Sequence, residues 1–85
     1  MSEERVSLLL QLTHRPGALN AALRPFARHG VNITHIESRP ARGKTFDIFV
    51  DCDGARGEPE IAEVINELEQ SGTTLLVLDG KDVPW

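Results

Sequence analysis

The sequence predicts an α+β domain, a four-stranded antiparallel sheet with two helices packed on one face. Three observations carry that reading. Segments whose apolar residues alternate at period two are interleaved with segments of helical spacing, in the order β-α-β-β-α-β. Each helical segment opens beside a proline, Pro16 or Pro59, and closes at a glycine, Gly30 or Gly72. The 85-residue length allows one core and no more. A chain this short buries only about 60% of the surface its unfolded form exposes, so a second copy or a larger parent would steady it.

The first strand runs from Arg5 to Thr13, with Val6, Leu8, Leu10 and Leu12 on one face. Leu9 on the other face suits a central strand. Pro16-Gly17 opens a helix to about His29, with proline in the first helical position. Leu19, Ala22, Leu23 and Phe26 form its core stripe, and Asn20, Arg24 and Arg28 face water. Pro25 removes the bond to the Ala21 carbonyl and predicts a bend or an irregular last turn. The second strand runs from Val31 to Arg39. Alternation places Asn32, Thr34, Ile36 and Ser38 on one face, with Ile36 toward the core, and Ile33, His35, Glu37 and Arg39 on the other.

A hairpin at residues 40–44 leads to the third strand, Thr45 to Cys52, with Phe46, Ile48, Val50 and Cys52 on its apolar face. The second helix spans Glu58 to Ser71, with Ile61, Val64, Ile65 and Leu68 at helical spacing. Thr73 to Leu78 is the last strand, and 79–85 an exit segment. Right-handed crossovers give the strand order fourth, first, third, second, with the second strand on an edge. A bare edge invites pairing with another chain.

Composition narrows function. Thirteen acidic residues against nine basic give a net charge of -4, which argues against a nucleic-acid or anionic-membrane surface. One cysteine, Cys52, excludes an internal disulfide, and no apolar run is long enough to span a bilayer. The expected location is cytoplasmic. His14, His29 and His35 lack close ligand spacing, so no metal site is expected. No catalytic triad or dinucleotide glycine motif is present.

Two segments remain as candidates for chemistry. At Arg15, Pro16, Gly17, Ala18 and Leu19, backbone N–H groups at a helix start can receive a carboxylate, and Gly17 and Ala18 let a ligand approach. At Asn32, Ile33, Thr34 and His35, edge carbonyls can accept from an ammonium group. Each has a plainer reading: Pro16-Gly17 as strand-to-helix punctuation, Asn32 as a turn residue after Gly30, Ile33 as packing and His35 as an exposed edge imidazole. Glu37-Ser38-Arg39-Pro40 also reads as a strand end, which would position a pocket rather than touch its ligand.

Gly17-Ala18-Leu19 followed by Ile36-Glu37-Ser38-Arg39-Pro40 resembles the ACT domains of phenylalanine hydroxylase and prephenate dehydratase, small ferredoxin-like modules. The exit Asp82-Val83-Pro84-Trp85 resembles the link into the catalytic domain of aromatic amino acid hydroxylases, which tips the reading toward a phenylalanine hydroxylase. On that resemblance, residues 1–80 are a non-catalytic regulatory domain, and 81–85 begin a linker to a catalytic domain. The resemblance implies a homodimer that binds L-phenylalanine at its interface and allosterically activates the parent enzyme. Arg15, Pro16, Gly17, Ala18 and Leu19 of one copy would meet Asn32, Ile33, Thr34 and His35 of the other. It implies no cofactor in this domain, and a parent that uses non-haem iron and tetrahydrobiopterin. The alternatives are an effector domain of prephenate dehydratase or another amino-acid enzyme, and a constitutive dimerisation module.

Overall fold

The computed structural model describes residues 4–55 and 57–78. Six elements follow in the expected order: β1 (Arg5–Thr13), α1 (Ala18–Arg28), β2 (Ile33–Pro40), β3 (Thr45–Asp53), α2 (Pro59–Gln70) and β4 (Thr74–Leu78). The sheet order is β2-β3-β1-β4, with every neighbouring pair antiparallel. β1 and β3 pair along their whole length, from Arg5 opposite Asp53 to Thr13 opposite Thr45. The expected architecture is therefore present, with β2 and β4 as the edges. The expectations placed on the exit at 79–85, including its resemblance to a hydroxylase linker, lie outside the described residues.

The core lies between the helices and one face of the sheet. Val6, Leu8, Leu10 and Leu12 of β1 and Ile48, Val50 and Cys52 of β3 meet Ala22 and Phe26 of α1 and Ile61, Val64 and Leu68 of α2. Period two in the strands and 3.6 in the helices place these residues on facing surfaces. No polar or charged side chain is buried among the described residues, so hydrophobic burial is the dominant stabilising term. Both helices end in the same way. Val31 N–H reaches back to the Phe26 carbonyl (2.8 Å) and Gly30 N–H to Ala27 (3.2 Å); Thr73 and Gly72 do the same to Leu68 and Glu69 (3.0 Å each). These bonds satisfy carbonyls that a helix end would otherwise leave open.

Three local expectations need correction. Pro16 is not the first residue of α1. Arg15–Ala18 is a β-turn closed by Ala18 N–H on the Arg15 carbonyl (3.2 Å), with Pro16 and Gly17 at its centre. Gly17, at φ 81° and ψ -5°, is the N-cap and occupies the position of a type II turn that favours glycine. Second, the turn delays and rotates the helix, so Ala18, Ala22, Pro25 and Phe26 are buried, while Leu19 is 38% exposed. As expected, α1 continues through Pro25 to its last turn and ends at Arg28, and His29 N–H closes on the Pro25 carbonyl (3.1 Å).

The third correction concerns β2, which does not alternate regularly. Ile33 pairs with Cys52, but His35 pairs with Asp51 and Ile36 with Val50, so the register slips by one residue around Thr34. Such a bulge turns the chain by one side-chain position. Ile33 and Ile36 therefore share the core-side face, where Ile33 is half-buried against the core. Ile36 lies on that face as expected, yet it is 40% exposed because none of the described elements covers the edge there.

Candidate functional site

The register places the two candidate segments far apart within one chain. The β1–α1 turn follows Thr13, in the row Thr13–Thr45, beside Pro40 and Phe46. The start of β2 lies in the row Ile33–Cys52–Val6. Seven strand residues separate those rows, roughly 23 Å at ~3.3 Å per residue. Arg15, Pro16, Gly17, Ala18 and Leu19 thus stand at one end of the sheet, and Asn32, Ile33, Thr34 and His35 at the other.

The turn end is open to an anion. Gly17 offers no side-chain cap, and the first turn of α1 holds no acidic residue. By contrast, α2 carries Glu60 in its first turn, where it complements the helix dipole. Arg15 is exposed and makes no ion pair among the described residues. A cavity of about 170 Å³ lies behind the turn, lined by Arg15, Ala18, Ala21 and Ala22, with Ser71 and Thr73 opposite.

A shallow groove of about 360 Å³ lies beside the same turn, lined by His14, Ser38, Arg39, Pro40, Thr45 and Phe46. The His14 and Phe46 rings meet edge to face at 5.7 Å, and His14 N–H donates to the Lys44 carbonyl, which ties the turn to the β2–β3 hairpin. His14 and Phe46 were not among the residues the sequence singled out. The signal was available only through register, because Phe46 pairs with Leu12 and Pro40 at once.

The strand end is built differently. The Asn32 amide donates to Asp53 Oδ2 (3.1 Å), and Thr34 Oγ1 donates to the Asp51 carbonyl (3.3 Å). His35 Nε2 lies 2.7 Å from Glu37 Oε1, and its ring is edge-on to Phe49 at 6.1 Å. These contacts hold the bulge and present Thr34 and His35 outward; both are exposed.

Other chemistry finds little support. Cys52 is fully buried, and its pKa is raised to about 11 by burial first and then by the charges of Asp51 and Asp53. The thiol is therefore neutral and shielded rather than nucleophilic. Among the described residues, no group of three or more His, Cys, Asp and Glu could hold a metal ion, and no helix is long and apolar enough to cross a membrane.

Comparisons with known proteins agree with the fold. The bifunctional chorismate mutase/prephenate dehydratase of Aquifex aeolicus is 39% identical over 77 residues, covering 88% of this chain and 21% of that protein. The prephenate dehydratase of Arthrobacter aurescens, solved in complex with L-Phe, superposes with a TM-score of 0.72 at 32% identity, over 86% of this chain and 26% of that one. A structure described as GqqA, a quorum quenching acylase, superposes with a TM-score of 0.79 at 30% identity, over 87% of this chain and 39% of that one. The chain spans about a fifth of the length of the curated relatives it matches. These dehydratases favour the second branch of the resemblance, so the hydroxylase reading, with its iron and pterin, is set aside. The ACT domain model matches residues 6–70, and the chain belongs to the ACT domain family.

Proposed function

We propose that this chain is the effector-binding domain of a prephenate dehydratase-type protein and takes L-phenylalanine at a site shared by two copies. The observation that carries the reading is the separation of the two candidate segments. They cannot meet within one chain, yet each lies at one end of a sheet whose β2 edge is bare among the described residues. Antiparallel pairing of two β2 edges about a two-fold axis brings the β1–α1 turn of one copy toward the start of β2 of the other.

In that arrangement the uncapped start of α1 and Arg15 receive the ligand carboxylate. Backbone carbonyls around Asn32 and Thr34 of the partner accept from its ammonium group. Leu19 and Ile33 flank its ring. The half-exposed Leu19 and Ile36 on the helix side are then covered. The dehydratase relative that carries L-Phe supports the ligand class.

Because the complete site exists only in the pair, ligand binding and pairing reinforce each other, and the ligand shifts the state of whatever domain is attached. Regulation of an attached catalytic domain is thus the expected role, with no catalysis in this chain.

Titration calorimetry of the isolated domain tests the reading. L-phenylalanine gives saturable heat with one molecule per chain, and D-phenylalanine gives little. Absence of heat with L-phenylalanine, L-tyrosine and L-tryptophan would overturn it and leave a pairing module without ligand.

A further inference from the structure

The sheet has a second edge, β4, and it is built unlike the first. β2 carries features that restrict what can pair with it: the bulge at Thr34, Pro40, and the ionisable residues His35, Glu37 and Arg39. β4 is Thr74-Leu75-Leu76-Val77-Leu78, with no charge, no proline and no bulge. Such a β-prone, uncharged run is a template for a further strand. Among the described residues, no strand lies beyond it.

The register of β1 tells which groups of β4 are open. His14 N–H donates to the Lys44 carbonyl, and the Glu4 carbonyl accepts from Gly54 N–H, so even-numbered residues along β1 turn their backbone groups toward β3. Odd-numbered residues turn toward β4, where Ser7, Leu9 and Gln11 lie opposite Leu78, Leu76 and Thr74. Leu75 and Val77 therefore present their N–H and C=O groups outward. Their side chains lie on the helix side, half-buried against the core. Leu76 points to the open face, where it is 59% exposed, more than any other large apolar side chain among the described residues. Both faces of this edge thus carry incompletely covered apolar side chains.

A second copy matches the edge. In an antiparallel pair about a two-fold axis, the register that matches all five residues sets Leu76 opposite itself, Leu75 opposite Val77 and Thr74 opposite Leu78. Every facing pair is uncharged, and Leu75 and Val77 exchange both of their backbone bonds. A slip toward the α2–β4 turn would call on Thr73 N–H, which is already bonded to the Leu68 carbonyl (3.0 Å). α2 packs over β4. Its Glu67 reaches Arg28 and His29 of α1, and at about 100° per residue Ile65 and Glu69 fall on the opposite flank, above the edge. The axis makes the two α2 helices antiparallel, so Glu69 lies by the start of the partner's helix, where a carboxylate is favoured.

We infer that β4 is a second self-pairing edge, at which two copies join with Leu76 on the two-fold axis. The seam shields Leu76 on the open face and Leu75, Val77 and Ile65 on the helix side. It is small beside the ~800 Å² per partner of a stable interface, so it forms at high protein concentration or where copies are already held together. Given the β2 pairing proposed above, two axes on opposite edges do not close, and together they extend the sheet into a ribbon.

Cysteine placement tests the register without ligand. Leu76→Cys puts two thiols on the axis, ~4.5 Å apart at Cα, whereas Leu75→Cys leaves its own mate on a diagonal ~7–8 Å away, outside disulfide reach. The native Cys52 is fully buried and does not compete. In concentrated solution with mild oxidant, Leu76→Cys gives covalent dimer fastest. Faster cross-linking of Leu75→Cys overturns the register, and cross-linking of neither overturns pairing through β4. Charge on the axis gives an independent reading. Because the position is exposed, Leu76→Lys and Leu76→Glu leave the urea midpoint nearly unchanged. Each alone weakens ligand-free association in sedimentation roughly tenfold or more, and an equal mixture of the two associates again. A mixture no better than either variant contradicts the inference. The heat of L-phenylalanine per chain stays that of the parent in Leu76→Lys, and its loss would place Leu76 in the ligand site and overturn the assignment.

Discussion

β2 and β3 lie side by side and end in opposite conditions. On β3, the core-side residues Ile48, Val50 and Cys52 are fully buried. On β2, the facing residues Ile36 and Ser38 are exposed, and Ile33 is only half-buried. The chemistry of the two sequences is not the cause, since both carry β-branched apolar residues on that face. Position is. β3 has a strand on each side and the helix layer above, whereas β2 has one neighbour among the described residues and a bulge. The centre of the sheet supplies the stability of the single chain, and the edge stays open among the described residues, as the proposed pairing requires.

The sharpest way to break this contrast is to cut the centre. Phe26→Ala removes a ring that α1 buries fully, and such changes cost about 3–5 kcal/mol. Against a total of ~5–15 kcal/mol for a small domain, urea denaturation of this variant should show a largely unfolded protein. A next, smaller effect is expected at Gly54, whose φ is +132°. A Cβ there would lie 3.1 Å from Ile61 and Glu58 atoms, so Gly54→Ala should cost about 1–3 kcal/mol by the same measurement.

The edge should respond in the opposite sense. Leu19→Ala shifts the urea midpoint of the free domain little, because Leu19 is 38% exposed, yet it weakens L-phenylalanine binding clearly in calorimetry. Ile33→Ala does both, losing about 1 kcal/mol of stability for its half-buried packing as well as affinity. If Leu19→Ala proves as destabilising as a core change and leaves affinity untouched, the division between centre and edge is wrong.

The smallest effect comes from the helix layer. The Glu67 carboxylate accepts from His29 Nε2 (2.7 Å) and from Arg28 Nη1 (2.9 Å). The His29 bond first, opposed by desolvation and then aided by Arg28, holds its pKa below the ordinary value. Its ionised form therefore favours the fold at neutral pH. That contribution is lost as pH falls through the lowered folded-state value. Glu67→Gln should slightly lower the melting temperature at pH 7 and narrow the gap to the parent domain below the usual carboxylate range.

Legibility in the sequence followed the same division. Strand order, both core faces of β1 and β3 and the two helix ends could be read, because burial on one face enforces a strict period. The start of α1 could not. Pro-Gly fits either a helix opening or a type II turn, and only the Gly17 dihedral separates them. The bulge at Thr34 also left no pattern, since it depends on pairing with Asp51 and Cys52. The nine residues chosen for the site lie at two ends of the sheet, Ala18 buried and the other eight at least partly exposed. Their separation, and the part of His14 and Phe46, became visible only with the register.

The measurement closest to the central claim is complementation between damaged copies. Leu19→Glu spoils the turn side of the site, and Thr34→Glu spoils the strand side. Neither variant alone should bind L-phenylalanine in calorimetry. Mixed in equal amounts and allowed to exchange, they should regain binding at about a quarter of the parent sites, because half the dimers are mixed and each has one intact site. A mixture that binds nothing, while both variants remain folded and paired, would mean that each site lies within one chain and would contradict the account.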